Sequence, residues 1–152
     1  FGRETLENAL RVFAKVSRTL EPIEHRRKVI LCIGLRPVCD VREPMDGRGS
    51  PMWQAWVEAL TAAARANVSV YAVDPTGVNQ RAQPRPYGLI EMTGGSLFTK
   101  LDEFEAAHRA IWWEASRYYL LGYWPPEKRG ELHSVDVKVT RKDLHVRARR
   151  RR

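Results

Sequence analysis

The run Val68-Ser-Val-Tyr-Ala-Val73 decides the fold, because a short, nearly continuous apolar run is typical of a strand covered on both faces. A second such run, Lys28-Val-Ile-Leu-Cys-Ile33, closes at Gly34. Neither run shows the strict apolar–polar alternation of a half-exposed strand. The two runs therefore predict strands of a parallel sheet with helices on both faces.

Apolar residues at helical spacing precede each of these runs. The first stripe comprises Leu6, Leu10, Phe13, Val16 and Leu20. A second helix begins at Ser50-Pro51, an N-cap followed by proline at the first helical position, and ends near Asn67. Its expected buried face comprises Trp53, Trp56, Val57, Leu60 and Ala64. The alternation of strands and helices predicts βαβ units with right-handed crossovers.

The next stretch continues the α/β pattern as far as residue 115. A short helix is expected over Pro86–Met92 with Gly94 as its C-cap, followed by a brief strand within Ser96–Thr99. Thr99 and Asp102 have the spacing of a capping box. The last helical stripe comprises Leu101, Phe104, His108, Ile111, Trp112 and Ala115. His108 and Trp112 are expected in the core, with Trp113 partly exposed.

The pattern changes to that of an antiparallel sheet after residue 115. Arg117–Trp124 reads as a strand, with Tyr118, Tyr119 and Tyr123 in core and cross-strand packing. Two period-two runs follow, joined by a polar turn at Arg141–Asp143. Their apolar positions are Val135, Val137, Val139, Leu144, Val146 and Ala148. The predicted division is an α/β body over 1–115, a β appendage over 116–149 and a basic tail over 150–152.

Positive charge is concentrated at the C-terminal end of the chain. The formal net charge is +8, yet residues 141–152 hold seven Lys or Arg against the single acid Asp143. The other 140 residues carry 19 basic and 17 acidic groups, so the body is nearly neutral. A nucleic-acid-binding body is therefore not indicated, although a basic tail can bind nucleic acid or anionic lipid. The tail residues concerned are Arg147, Arg149, Arg150, Arg151 and Arg152.

Two cysteines are too few for a disulfide framework or a cysteine metal cluster. Cys32 lies in an apolar run and is expected to pack as a small hydrophobic residue. Two free thiols are the preferred interpretation, and a Cys32–Cys39 bridge is the alternative. No stretch approaches the roughly 20 apolar residues of a membrane span. The chain shows no signal peptide and begins at Phe1, so further sequence is expected upstream.

Several segments, taken together and in order, resemble one protein family. They are Glu4-Thr-Leu6, Arg26-Arg-Lys28, Ala66-Asn-Val-Ser-Val-Tyr-Ala-Val-Asp-Pro75, Thr93-Gly-Gly95, Tyr118-Tyr-Leu-Leu-Gly-Tyr123 and Val137-Lys-Val-Thr-Arg141. The family is the acidobacterial-type VWFA-related domain, a bacterial relative of the von Willebrand factor A fold. The resemblance implies a Rossmann-like, mostly parallel sheet flanked by helices, in a secreted or periplasmic bacterial protein. It also implies that ligands bind at the carboxyl ends of the strands.

The chain departs from the A-domain pattern at the metal site. No Asp-x-Ser-x-Ser motif occurs, and Ile33-Gly34 offers no carboxylate where many A-domains have one. We therefore expect no Mg²⁺ or Ca²⁺ site and no cofactor. In A-domain order, the strand missing from the N-terminus lies beside Lys28–Ile33. That strand is expected to form an open sheet edge that promotes self-association.

The resulting functional hypothesis is a non-enzymatic module that binds a protein or surface through strand-end loops. The candidate contact residues are Gly34, Asp40, Asp74 and Thr76. Asp74-Pro75 also fits a simple turn, and Thr93-Gly-Gly95 fits a helix C-cap better than a phosphate loop. The alternatives are a basic-tail binder of nucleic acid or anionic membrane, and a hydrolase whose catalytic residues lie elsewhere in a longer protein.

Overall fold

The computed structural model describes residues 2–34, 44, 47, 49–74, 88–99, 104–119, 121, 137–141 and 143. Within these residues the chain forms four helices and three strands. In chain order they are α1 (Arg3–Leu20), β1 (Lys28–Ile33), α2 (Pro51–Arg65), β2 (Val68–Val73), α3 (Leu89–Met92), β3 (Leu97–Phe98) and α4 (Phe104–Ser116).

The three strands form one parallel sheet in the order β1-β2-β3. The register pairs Lys28 with Val68 and Ile33 with Val73, and it pairs Ala72 with Leu97. Every residue of the central strand β2 is buried. The predicted α/β fold with a parallel sheet is thus confirmed, and the apolar run of β2 is explained by cover on both faces.

Helices α1 and α2 pack together over one face of the sheet. The core on this face includes Val68, Val70 and Ala72 of β2. The buried residues of α1 are Leu10, Phe13, Ala14 and Ser17. The prediction that Val16 belongs to this face was wrong, because Val12 and Val16 lie one turn apart on the exposed side of the helix.

Helix α2 begins and ends where the sequence indicates. The Ser50 hydroxyl accepts a hydrogen bond from the Trp53 amide at 3.1 Å, and Asn67 ends the helix with a left-handed φ of 53°. Its buried face differs from the prediction, because Trp53 and Leu60 are only partly buried. The fully covered positions are Met52, Ala55, Trp56, Ala59, Ala62 and Ala63. Alanine predominates there because small side chains allow α2 to approach its neighbours closely.

Helix α4 covers the opposite face of the sheet less completely. Its buried residues are Ala107 and Ile111, whereas His108 and Trp112 are exposed. The predictions that placed His108 and Trp112 in the core were therefore wrong, since 70% of Trp112 is accessible to solvent. Ile111 is a member of the predicted stripe and is buried as expected, whereas Ala107 lies beside that stripe.

Strand β1 is covered on one face only. Ile30 and Cys32 pack against the core beneath α1 and α2. On the other face Leu31 is 41% exposed and Ile33 is 61% exposed. The expectation that this strand is buried on both faces was wrong, because α4 covers β2 and leaves the carboxyl half of β1 open.

The described residues beyond α4 do not confirm the antiparallel appendage. Tyr118, Tyr119, Leu121 and the range 137–139 lie outside helices and strands. Tyr119 is 95% exposed, so its predicted core packing was wrong. The Arg141 guanidinium pairs with the exposed Asp143 carboxylate and lowers the pKa of that group. The remaining positions of the predicted strands lie outside the described residues.

Cys32 is disulfide-bonded in this structure. The preferred interpretation of two free thiols was therefore wrong for Cys32. Cys39, the other cysteine of the chain, lies outside the described residues. The short apolar run around Cys32 gave no indication of pairing, because packing and disulfide formation are both compatible with a half-buried cysteine.

Candidate functional site

The carboxyl edge of the sheet brings together two of the four predicted contact residues. Gly34 follows β1 and donates its amide to the Val73 carbonyl at 3.1 Å. Asp74 follows β2 and donates its amide to the Phe98 carbonyl at 2.8 Å. Gly34 and Asp74 thus lie at the same level of adjacent strands. Asp40 and Thr76 lie outside the described residues.

The environments of Gly34 and Asp74 differ. A Cβ atom placed on Gly34 would meet no atom within 4 Å, so this position opens to free space. The Asp74 side chain is completely buried. It therefore presents no surface to a partner in this structure. Among the described residues no group of three or more His, Cys, Asp or Glu could hold a metal ion.

A polar cluster that the sequence pattern did not predict lies at the opposite end of the sheet. Arg27, directly before β1, extends its guanidinium across the face of β2. Its Nε donates to Ser69 Oγ at 3.0 Å, and one Nη donates to Tyr71 Oη at 3.2 Å. The same nitrogen donates to the Gly94 carbonyl at 3.1 Å, and the other donates to the Glu114 carbonyl at 3.3 Å.

Further contacts connect this Arg27 cluster to α4. Tyr71 Oη donates to Glu114 Oε2 at 2.7 Å. The Arg27 amide donates to Tyr118 Oη at 2.9 Å. The cluster therefore links the start of β1, the centre of β2 and the C-terminal end of α4. These contacts also show that α4 runs antiparallel to the strands, with its C-terminal end at the amino edge of the sheet.

Sequence signals for the Arg27 cluster existed, although each was weak by itself. Ser69 and Tyr71 are the two residues of β2 that carry hydroxyl groups, and they occupy alternate positions, so they share one face. Buried hydroxyls require hydrogen-bond partners. Arg27 lies within Arg26-Arg27-Lys28, a short charge run that is usually solvent-exposed. Only the packing of β1 beside β2 distinguishes Arg27 from the exposed Arg26.

A second surface surrounds the end of α4 and comprises Trp113, Arg117 and Tyr119. We refer to it as the α4-end surface. Trp113 is 59% exposed, and the Arg117 guanidinium carbon lies 3.2 Å from the centre of the Trp113 ring. Aromatic residues and arginine are enriched at protein interfaces and among the residues that contribute most binding energy.

The chain matches no protein-family model, no curated protein and no solved structure. A functional proposal for this chain therefore depends on its fold and on the surfaces described above. Within the part of the chain that the structure describes, no helix has the length and apolar character needed to cross a membrane.

Proposed function

We propose that this chain is a non-enzymatic protein-interaction module with a von Willebrand A-like fold, from an exported bacterial protein. The three-stranded parallel sheet with helices on both faces supports the fold assignment, and the family resemblance of the sequence supports the origin. The antiparallel appendage over 116–149 remains part of this proposal. The partner is a protein, and self-association through β1 is a further proposed contact.

The exposed aromatic residues of the α4-end surface carry the proposal. Tyr119 and Trp113 are largely accessible, and Arg117 is stacked on the indole ring. Large aromatic side chains that remain exposed cost free energy in water, and burying them against a partner recovers it. The stacked guanidinium retains N–H donors at its edge, so a partner with apolar and acidic side chains fits this surface.

The strand-end residues define a second candidate surface. Gly34 opens to free space at the carboxyl edge, whereas the α4-end surface lies near the amino edge. The two surfaces lie at opposite ends of the sheet, so each can be altered without changing the other. Substitutions at each surface therefore distinguish the two binding modes.

The test is capture of a partner by the immobilised chain from the secreted and periplasmic proteins of a bacterium that encodes it. Washing at about 1 M NaCl, where the Debye length is roughly 3 Å, removes proteins held by exposed charges alone. The double variant Trp113→Ala/Tyr119→Ala is expected to lose the captured protein. Val12→Ala removes an exposed apolar side chain from α1 and is expected to retain it.

The variant Gly34→Arg tests the strand-end surface, since a Cβ atom at this position would meet no atom within 4 Å. Loss of capture only in Gly34→Arg would place the partner at the strand ends. Failure of wild-type chain to retain any protein at high salt, or equal capture by all variants, would contradict the proposal.

Binding through the basic tail is the alternative function, and the concentration of charge in residues 141–152 is the observation that favours it. Retention on DNA or anionic vesicles that falls steeply as salt rises would support this alternative. Capture that persists at high salt would not be explained by it.

A further inference from the structure

The outer edge of β1 has backbone groups directed away from the sheet. The Lys28 amide donates to the Asn67 carbonyl at 2.9 Å, and the Gly34 amide donates to the Val73 carbonyl at 3.1 Å. Alternate residues of a strand direct their amides to the same side, so Ile30 and Cys32 also face β2. Val29, Leu31 and Ile33 consequently direct their N–H and C=O groups outward, where no described strand pairs with them.

The same three residues carry the side chains on the incompletely covered face. The parallel register places Leu31 beside Tyr71 and Ile33 beside Val73, on the face that α4 covers. Tyr71 and Val73 are buried there, whereas Leu31 and Ile33 remain exposed. The outer edge of β1 thus combines exposed aliphatic side chains with backbone groups that pair with no strand in the described part of the chain.

A neighbouring stripe on α4 extends this apolar region. Phe104, His108 and Trp112 are four residues apart and therefore lie on one flank of the helix. All three are exposed. Parallel β-α-β units adopt right-handed crossovers, which fixes the face of the sheet on which α2 lies and places α4 on the other face. Because α4 runs antiparallel to the strands on that other face, the flank with Phe104, His108 and Trp112 is the one nearer to β1. The stripe does not include the residues of the α4-end surface.

We propose that two copies of this chain form a homodimer in which their β1 strands pair antiparallel about a two-fold axis at Leu31. When this two-fold axis is perpendicular to the sheet, the same side chain of both copies lies on the same face of the combined sheet. Cross-strand partners also share a face, so the pairing must join odd-numbered residues to odd-numbered residues. Centring the pair on Leu31 places Val29 opposite Ile33 of the other copy and satisfies all three outward-facing residues.

Charge favours a second copy in this antiparallel orientation. Lys28 is the charged residue of β1, and Arg26 and Arg27 precede it. Antiparallel pairing separates the two Lys28 residues by about 20 Å along the strands. That distance exceeds the Debye length of about 8 Å at physiological salt. The interior of the paired region contains no charge, so the strand is complementary to itself.

The available area is also consistent with a dimer. The exposed parts of Phe104 and Trp112 amount to roughly 250 Å² in each copy. Leu31, Ile33 and the strand backbone add to that area. Two copies can therefore bury on the order of 1,000 Å², which is near the lower bound for a specific interface. The resulting six-stranded sheet would have both α4 helices on one face, with the Leu31 side chains between them.

Sedimentation equilibrium of the purified chain tests the association. We expect a dimer at micromolar concentration and a monomer for Leu31→Lys, because a lysine at the centre of the edge prevents strand pairing. Val12→Lys introduces the same charge at an exposed position on α1 and should remain dimeric. A monomeric wild-type chain, or open-ended aggregation instead of a dimer, would overturn the proposal.

Cross-linking tests the register without relying on Leu31→Lys to fold. A hydrogen-bonded antiparallel pair has a Cα–Cα distance of about 5.5 Å, so Leu31→Cys should join two copies through a short bis-maleimide linker. The two Val29 residues should lie about 14 Å apart, so Val29→Cys should not be joined by that linker. A dimer linked equally well at both positions, or at neither, would rule out this strand pairing.

The dimer does not depend on the proposed protein partner, since both measurements use the purified chain alone. Loss of partner capture in Trp113→Ala/Tyr119→Ala leaves the β1 edge intact. Failure of the dimer and failure of the partner proposal are therefore separately observable.

Discussion

Gly95 is constrained by backbone contact at the point where the chain turns from α3 into β3. A Cβ atom at this position would lie 1.6 Å from the Val70 carbonyl oxygen, and that oxygen belongs to the buried central strand. Gly95→Ala should destabilise the fold by about 3 kcal/mol or more, since neither backbone segment can move freely. Denaturant unfolding measures the change. Gly34→Ala is the control and should be close to wild type, and equal stability of both variants would contradict this close packing.

Ser17 presents the opposite situation, a buried side chain whose hydroxyl oxygen has no hydrogen-bond partner among the residues that the structure describes. Burying an unpaired hydroxyl costs free energy, and alanine has the higher helix propensity. Ser17→Ala should therefore stabilise the chain by about 1 kcal/mol, measured by thermal or denaturant unfolding. Thr19→Ala, at an exposed position of the same helix where the hydroxyl donates to the Lys15 carbonyl at 3.1 Å, should gain at most the propensity difference of about 0.5 kcal/mol. A loss of stability in Ser17→Ala would show that the hydroxyl is satisfied in solution.

At the scale of elements, α4 is the helix whose attachment depends most on polar contacts. Its buried apolar residues are Ala107 and Ile111, and the Arg27 cluster holds its C-terminal end. Arg27→Met should lower the free energy of unfolding by roughly 2–4 kcal/mol, because several hydrogen bonds to a charged group are lost. Hydrogen exchange of the α4 amides should accelerate more than that of α2.

Arg26→Met is the matched control for this prediction, since the neighbouring side chain is exposed. Arg27→Lys should lose less stability than Arg27→Met but remain below wild type. An ammonium group cannot donate to all the acceptors that the planar guanidinium contacts. Unchanged exchange of the α4 amides in Arg27→Met would mean that apolar packing alone attaches the helix.

At the scale of the whole molecule, the uneven charge distribution predicts separate roles for body and tail. Deleting Arg150–Arg152 should change the free energy of unfolding by less than about 0.5 kcal/mol, because a run of arginines is usually solvated and changes to solvated charges rarely alter stability more. The same deletion should reduce non-specific DNA binding and the steepness of its salt dependence. Replacing the three arginines with glutamine preserves the length and should have the same effect. A large loss of stability would show that the arginines are structural.

Metal binding is also a whole-molecule prediction, because a site at the carboxyl edge of the sheet would draw its ligands from several strand ends. The sequence lacks Asp-x-Ser-x-Ser, and the Asp74 side chain is completely buried. Calorimetric titration with Mg²⁺ or Ca²⁺ is expected to show no micromolar binding. A stoichiometric site that disappears in Asp74→Asn would contradict this expectation.

The sequence by itself determined the elements and the class of fold. The apolar runs of β1 and β2, the Ser50-Pro51 helix start and the stops at Asn67 and Gly94 follow from local properties: hydrophobic pattern, capping and backbone freedom. Those properties act within a few residues, so they can be predicted without knowing what packs where. The strand-end positions of Gly34 and Asp74 follow in the same way, because parallel strands end at a common edge.

Tertiary structure alone decided which side of each element is covered and which polar residues meet. The stripe through His108 and Trp112 has a valid helical period, yet α4 docks on a different side and leaves Trp112 exposed. Arg27 and Arg26 are adjacent and chemically identical, yet only Arg27 lies within reach of Ser69 and Tyr71. The physical reason is that the hydrophobic period of a helix or strand defines which of its sides is apolar, but not which other element packs against that side. Burial and hydrogen bonding between residues far apart in the chain depend on how complete elements pack together.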